Sequence, residues 1–243
     1  MQKQRLSKVL ATAGIASRRA CEQIICDGKV SVNGVIATVP QTMVDATSDV
    51  ITVEGKRISQ PAPKVYFALH KPVGFTCTNA PNVKKRVVDL VTCPKTRLFT
   101  IGRLDKETSG LILLTNDGHF AHRVMHPSGN ITKEYIAKVD QELTHEHLVK
   151  LSEGCRIDGA YVKPVSVKKI RRNTLKIAVA EGRHHEVREF IAAAGLFTLE
   201  LKRVRIGGLT LGTLPVGTSR ALTKREIEGS FPISEQQKKG TEY

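Results

Sequence analysis

The 243-residue chain carries 38 Lys plus Arg against 23 Asp plus Glu, a formal charge of +15 at pH 7 and a sequence pI of about 9.8. That balance points to a polyanionic partner, nucleic acid first of all. No apolar run approaches the roughly 20 residues that span a bilayer, the opening MQKQRLSK lacks a signal-peptide core, and five Cys without paired C-x-x-C spacing argue against a disulfide framework or a zinc ribbon. A cytoplasmic protein with reduced thiols and no membrane association is expected.

Leu6, Val9, Leu10 and Ala13 recur at helical spacing and stop at Gly14, a residue suited to the left-handed position that ends a helix. Ser17 can cap a second helix whose Cys21, Ile24 and Ile25 turn inward and which closes at Asp27-Gly28. Val30 to Val32 and Val35 to Ala37 flank Asn33-Gly34, a strong two-residue hairpin signal. Residues 1–59 thus read as a small module of two helices and a β-ribbon. Arg18 and Arg19 fall in the first turn of the second helix, where the helix dipole disfavours cations by a few tenths to about 1 kcal/mol. With Arg5, Lys8 and Lys29 they can form one basic face for RNA phosphates; a solvated charged face is the competing reading.

Two prolines mark residues 60–64 as an extended connector. A larger module follows over 65–232, ahead of a tail at 233–243 expected to be disordered. Val65 to Lys71 and Leu98 to Ile101 read as short buried strands, and Gly102 ends the second, so Arg103 and Asp105 stand at a strand exit. Gly110 is expected to release the chain from a Thr108-Ser109 turn into Leu111 to Thr115, an apolar run typical of a strand buried on both faces. On these residues alone Asp105 is either a turn cap or a reactive carboxylate mounted between two core strands.

His119, His122 and His126 can share one helical face, but no carboxylate or Cys nearby completes a metal set, and packing or surface histidines account for them better. His145, His147 and the pair His184-His185 offer no ligand geometry, so no metal is expected. Lys133 to Val139, Leu175 to Val179 and Leu199 to Ile206 supply further strands. Glu186 to Ala194 forms a helix with Val187, Phe190, Ile191 and Ala194 on one face and Gly195 as its stop. Strands interleaved with a few helices, without regular βαβ alternation, indicate an α+β fold.

The run GRLDKETSGLILLTNDG, Gly102 to Gly118, closely resembles the catalytic signature of pseudouridine synthases, in the branch that modifies ribosomal RNA and carries an N-terminal alpha-L RNA-binding domain of the ribosomal protein S-four type. Other segments occur in the family's order. Val65 to Thr78 resembles its lysine-proline-x-glycine strand and turn, and KEYIAKV, Lys133 to Val139, its lysine-x-tyrosine strand. EGRHHEVREFIAAAG, Glu181 to Gly195, followed by LKRVRIGGLTLGTLPVG, Leu201 to Gly217, resembles its C-terminal motif. The likeness covers almost the whole chain short of connector and tail. It implies a two-helix and β-ribbon RNA-binding domain at 1–59 and a catalytic domain at 65–232 with a mixed, mostly antiparallel sheet crossed by the cleft.

The implied reaction detaches uracil from its ribose at nitrogen and reattaches it through carbon. By resemblance, Asp105 is the carboxylate that attacks the substrate or stabilises charge as the glycosidic bond breaks. Tyr135 is the aromatic face for a flipped-out base and an acid or base late in the reaction. Arg103 fills the vacancy the base leaves. Arg188, in HHEVR, is the cation that keeps Asp105 ionised in a partly dry cleft. Glu186 stands where Gln is frequent in the family. The resemblance implies no cofactor and no metal; a monomer acting on ribosomal RNA, with large-subunit RNA favoured, is expected. Two rival functions remain on sequence grounds: a noncatalytic RNA-binding assembly factor, which has no need of Arg103, Asp105, Tyr135 and Arg188 together, and an RNA N-glycosylase or nuclease built on Asp105.

Overall fold

A computed structural model describes residues 3–59, 62–93 and 96–231. Residues 60–61 of the expected connector, residue 232 and the expected tail at 233–243 lie outside the described residues. The chain divides into two units, Met1–Lys64 with Cys93–Arg97, and Val65–Thr92 with Leu98–Tyr243.

In the first unit, helix Leu6–Thr12 runs into Gly14, whose φ of 84° lets the amide of Ile15 reach back to the Leu10 carbonyl at 3.2 Å. Helix Arg18–Cys26 starts where the Ser17 hydroxyl accepts a hydrogen bond from the Ala20 amide at 3.2 Å. Leu6, Leu10, Cys21 and Ile25 are fully buried and pack with Val30, Val44 and Ile51. Val30–Val32 and Val35–Ala37 pair antiparallel about Asn33 and Gly34, whose φ values of 52° and 83° give the turn the hand that matches strand twist.

The ribbon is larger than its sequence signal. Ile51–Val53 pairs with the other edge of Val30–Val32, and Lys56–Arg57 extends the sheet to four strands through a second left-handed turn at Glu54 and Gly55. Ile51 and Val53 are the apolar residues of a three-residue strand, too short a pattern for periodicity to detect.

The second unit is built on a nine-stranded sheet. Its main path runs Ser166–Arg171, Thr174–Val179, Lys133–Val139, Thr198–Ile206, Thr108–Thr115, Tyr66–Lys71 and Ser219–Ala221, with Phe99–Ile101 also paired to Thr108–Thr115 and Leu209–Thr210 to Thr198–Ile206. Every pairing in this sheet is antiparallel except Thr198–Ile206 with Thr108–Thr115, where Leu201, Lys202 and Arg203 align in parallel with Thr108, Ser109 and Gly110. This is the expected mixed, mostly antiparallel α+β architecture. Leu111 to Leu114 are wholly buried, as a strand covered on both faces requires.

One expectation at the centre of the sheet is corrected. Gly110 is not a hinge ahead of the strand; the strand already runs from Thr108, with Gly110 inside it. Its φ is 110°, and a Cβ there would stand 2.2 Å from the Arg203 carbonyl oxygen. The glycine is required by the close parallel crossing, not by a turn.

Candidate active site

The strand pairing delivers the loop Gly102 to Glu107 between Phe99–Ile101 and Thr108–Thr115, and the segment after Tyr66–Lys71 clamps it from beside. Lys71 is completely buried, and its ammonium donates to the carbonyls of Thr108 at 2.7 Å, Pro72 at 3.1 Å and Lys106 at 3.3 Å. Burial pushes its pKa down, so the three carbonyl dipoles do the work that a counter-ion would otherwise do. The Gly74 amide adds a 2.7 Å bond to the Lys106 carbonyl. Buried Cys77 grips Leu104 at both ends, accepting from its amide and donating to its carbonyl at 3.4 Å each. Inside the loop, the Thr108 amide bonds the Asp105 carbonyl at 3.1 Å. With backbone on both sides of Asp105 tied down, its half-buried carboxylate is held in place through its own main chain.

That carboxylate opens into a cleft of about 770 Å³ whose lining includes Arg103, Lys133, Tyr135, His185 and Arg203. Tyr135 comes from the strand Lys133–Val139 and sits in register with Arg203 of the neighbouring strand. Arg203, itself buried, donates from Nε to the Leu111 carbonyl at 2.7 Å. Lys133 donates to the carbonyls of Ala180 and Glu181 at 3.0 and 3.1 Å; burial lowers its pKa, and the Arg203 charge adds to the effect. Arg103 projects exposed at the loop's start.

The opposite wall is the turn Glu181 to His185. Buried Glu186 accepts from the amides of Gly182 at 2.7 Å and Arg183 at 3.1 Å, closing the turn as an acidic first residue of the helix Glu186–Ala193. Burial pushes the Glu186 carboxyl up, and the two amide bonds oppose that. The turn leaves His185 in the left-handed region at φ 55°, stacked on His184 with ring centroids 3.9 Å apart. His185 Nε2 lies 3.5 Å from Asp105 Oδ1.

The cleft therefore brings Asp105, Arg103 and Tyr135 together. Arg188 is half-buried in the first turn of that helix and is not among the residues lining the cleft. The residue beside the carboxylate is His185, which sequence reading left without a role. His184 and His185 also acquire what their spacing did not offer: with Asp105 they form a group whose ligand atoms lie within 4.8 Å of one another. The signal available was weak, because the approach depends on a left-handed residue that is not glycine. Of the three histidines expected on one helical face, His119 and His122 lie in the helix Gly118–Met125 and His126 stands just past its end in extended backbone; His122 and His126 lie ring to ring at 4.8 Å, and His126 Nδ1 bonds the Ser128 hydroxyl at 2.7 Å. In the first unit Arg5, Arg18, Arg19 and Lys29 are exposed and Lys8 is half-buried, with Lys29 3.5 Å from Glu54.

A family model for RNA pseudouridylate synthase matches residues 65–193, more than half of the chain, and an S4 domain model matches residues 4–51. The chain belongs to the RNA pseudouridine synthase family. It is 39% identical over 232 residues to the ribosomal large subunit pseudouridine synthase B of Bacillus subtilis, covering 93% of this chain and 94% of that one. An uncharacterized RNA pseudouridine synthase of Aquifex aeolicus is 35% identical, with 95% of each chain covered. A chloroplastic Arabidopsis thaliana protein named as a candidate ribosomal large subunit pseudouridine synthase is 46% identical over 93% of this chain, which spans 60% of that relative's length. A crystal structure titled as a pseudouridylate synthase superposes with a TM-score of 0.67 at 29% identity, covering 92% of this chain and 97% of the other. The synthase is thus an isomerase with an appended RNA-binding domain. Among the described residues, no helix is long and apolar enough to cross a membrane.

Proposed function

We propose that this synthase converts uridine to pseudouridine in ribosomal RNA, with Asp105 as the reacting carboxylate and large-subunit RNA as the favoured substrate. The names of the Bacillus subtilis and Arabidopsis thaliana relatives support that choice of RNA. The observation that carries the catalytic assignment is the mounting of Asp105, clamped through Leu104, Lys106 and Thr108 and opening into the cleft that Tyr135 also lines.

In the reaction the C1′–N1 bond of the target uridine breaks, the base turns, and a C1′–C5 bond forms; C5 loses a proton and N1 gains one, so RNA mass is unchanged. The ionised carboxylate attacks the substrate or stabilises the positive charge that develops as the glycosidic bond opens. Tyr135 supplies a face for the flipped base, and its hydroxyl carries a proton late in the sequence. Arg103, exposed at the cleft, takes the place of the departed base by stacking and hydrogen bonding. Arg188, from the helix that follows the cleft's turn, contributes longer-range positive charge. No cofactor enters this scheme. Residues 1–59 dock the RNA through Arg5, Lys8, Arg18, Arg19 and Lys29, 60–64 connect, and chemistry resides in 65–232; the protein works as a cytoplasmic monomer.

The test is Asp105→Asn, which keeps shape and removes charge. Pseudouridine formation in ribosomal RNA is lost while RNA affinity stays within about threefold. Turnover at even about a tenth of the parent rate would remove Asp105 from the reaction.

A further inference from the structure

We propose that Asp105, His184 and His185 bind a divalent transition-metal ion of the zinc class, and that its arrival silences the synthase. The silencing rests on the catalytic reading of Asp105; the binding does not.

Two imidazoles and a carboxylate are a donor set that zinc uses when it leaves one position open. With bonds of about 2.0–2.1 Å, a tetrahedral ion holds its ligand atoms about 3.3–3.4 Å apart. His185 Nε2 and Asp105 Oδ1 already stand at 3.5 Å, and the His184 atom completes a group within 4.8 Å. Small rotations of exposed rings close the remainder. The turn that presents those rings is not loose: Glu186 ties both Gly182 and Arg183, and the left-handed backbone of His185 stacks the two imidazoles at 3.9 Å. Asp105 is clamped from its own side, so both halves of the site stand on fixed backbone.

The donor set decides the class of ion. Two nitrogens with a single carboxylate suit zinc, copper or nickel and disfavour calcium and magnesium, which take oxygen ligands. Among the described residues this is the one group of three or more His, Cys, Asp and Glu side chains able to converge on an ion. Arg103, Lys106 and Arg183 line the same cleft and oppose a dication, which makes the site a reversible one. Once the ion is bound, the Asp105 oxygen is shared with it, and a carboxylate engaged in that way neither attacks the substrate nor stabilises its positive charge.

The experiment titrates the full untagged chain with cobalt(II), following the visible bands of a four- or five-coordinate ion, and with zinc during pseudouridine formation. One ion binds per chain. His184→Ala and His185→Ala each weaken binding at least about tenfold and raise by a similar factor the zinc concentration that halves turnover. His122→Gln changes neither, EDTA restores the zinc-treated enzyme, and EDTA leaves the untreated rate unchanged with magnesium held constant for the RNA. Cobalt that keeps a six-coordinate aqueous spectrum overturns the site, as does binding or zinc inhibition indifferent to both His184→Ala and His185→Ala. An ion bound at these residues without loss of turnover overturns the silencing. Failure of the catalytic reading is seen separately, as an Asp105→Asn variant that still isomerises uridine.

Discussion

At Asp105 the protein separates two tasks that are often joined in one contact. Backbone bonds from Lys71, Gly74 and Cys77 fix where the carboxylate stands, while its electrostatic partner is left to side chains across the cleft. Among the basic residues there, Lys71 is committed to three carbonyls, Lys133 to two, and buried Arg203 to the carbonyl of Leu111. Backbone carbonyls thus occupy the ammonium groups of Lys71 and Lys133 and the Nε of Arg203, while Arg203 Nη2 is buried without a hydrogen-bond partner. Arg188, which does not line the cleft, carries no such commitment: no ion pair ties it among the described residues. Its proposed role predicts that Arg188→Gln lowers kcat at least about tenfold with KM little moved, the signature of an interaction stronger in the transition state than in the ground state. Single-turnover rates on a ribosomal RNA fragment measure it. A variant at the parental rate would hand the role to His185, which His185→Gln would then reveal as a comparable loss.

The catalytic unit depends on one crossing of elements. Thr108–Thr115 and Thr198–Ile206 are the parallel neighbours in an otherwise antiparallel sheet, and they approach so closely at Gly110 that the Arg203 carbonyl occupies the space of a Cβ. Gly110→Ala is expected to destabilise the unit by at least about 3 kcal/mol, from left-handed strain plus displacement of the strand that carries Arg203. Urea unfolding followed by circular dichroism reads the change, and stability within about 0.5 kcal/mol of the parent would mean that the strands part at little cost. This crossing also marks the limit of what sequence disclosed. The apolar run Leu111 to Thr115 was plain, because a strand buried on both faces writes a continuous signal. Its first residues, Thr108 to Gly110, resembled a turn because polar residues and glycine have the same local signature whether the chain bends or another backbone comes close. The edge strand Ser166–Arg171, mostly exposed, had no apolar alternation to announce it. Asp105, Arg103 and Tyr135 were singled out through the resemblance of their motifs to the family's, and all three line the cleft. His185 was not singled out, since its approach to Asp105 is a tertiary event set by one left-handed residue.

At the scale of the whole molecule, the charge is +15, and a catalytic unit that acts on RNA gains from a second unit as a source of phosphate contacts. The S4-matched unit is small and has its own buried core, while Val35, Ile36 and Val39 stand exposed beside its basic residues. Arg18 and Arg19 open the helix Arg18–Cys26, whose first turn holds no acidic residue, so they add repulsion to the dipole without local compensation. Such placement costs stability and is expected where phosphates supply the missing negative charge. Replacing both with Gln should leave the helices intact by circular dichroism, and slightly steadier, while weakening affinity for structured ribosomal RNA. If each arginine neutralises one phosphate, the slope of log affinity against log salt flattens by about 1.4–1.8 units, taking about 0.7 per phosphate for single strands and 0.9 for duplex as bounds. Filter binding across a salt series measures it, and removal of residues 1–59 should flatten the slope further while Tyr135 and Asp105 keep their cleft. A folded double variant with an unchanged slope would place these arginines on a merely solvated face, and the RNA path would then run along Lys84-Lys85 or the exposed Lys202 of the catalytic unit.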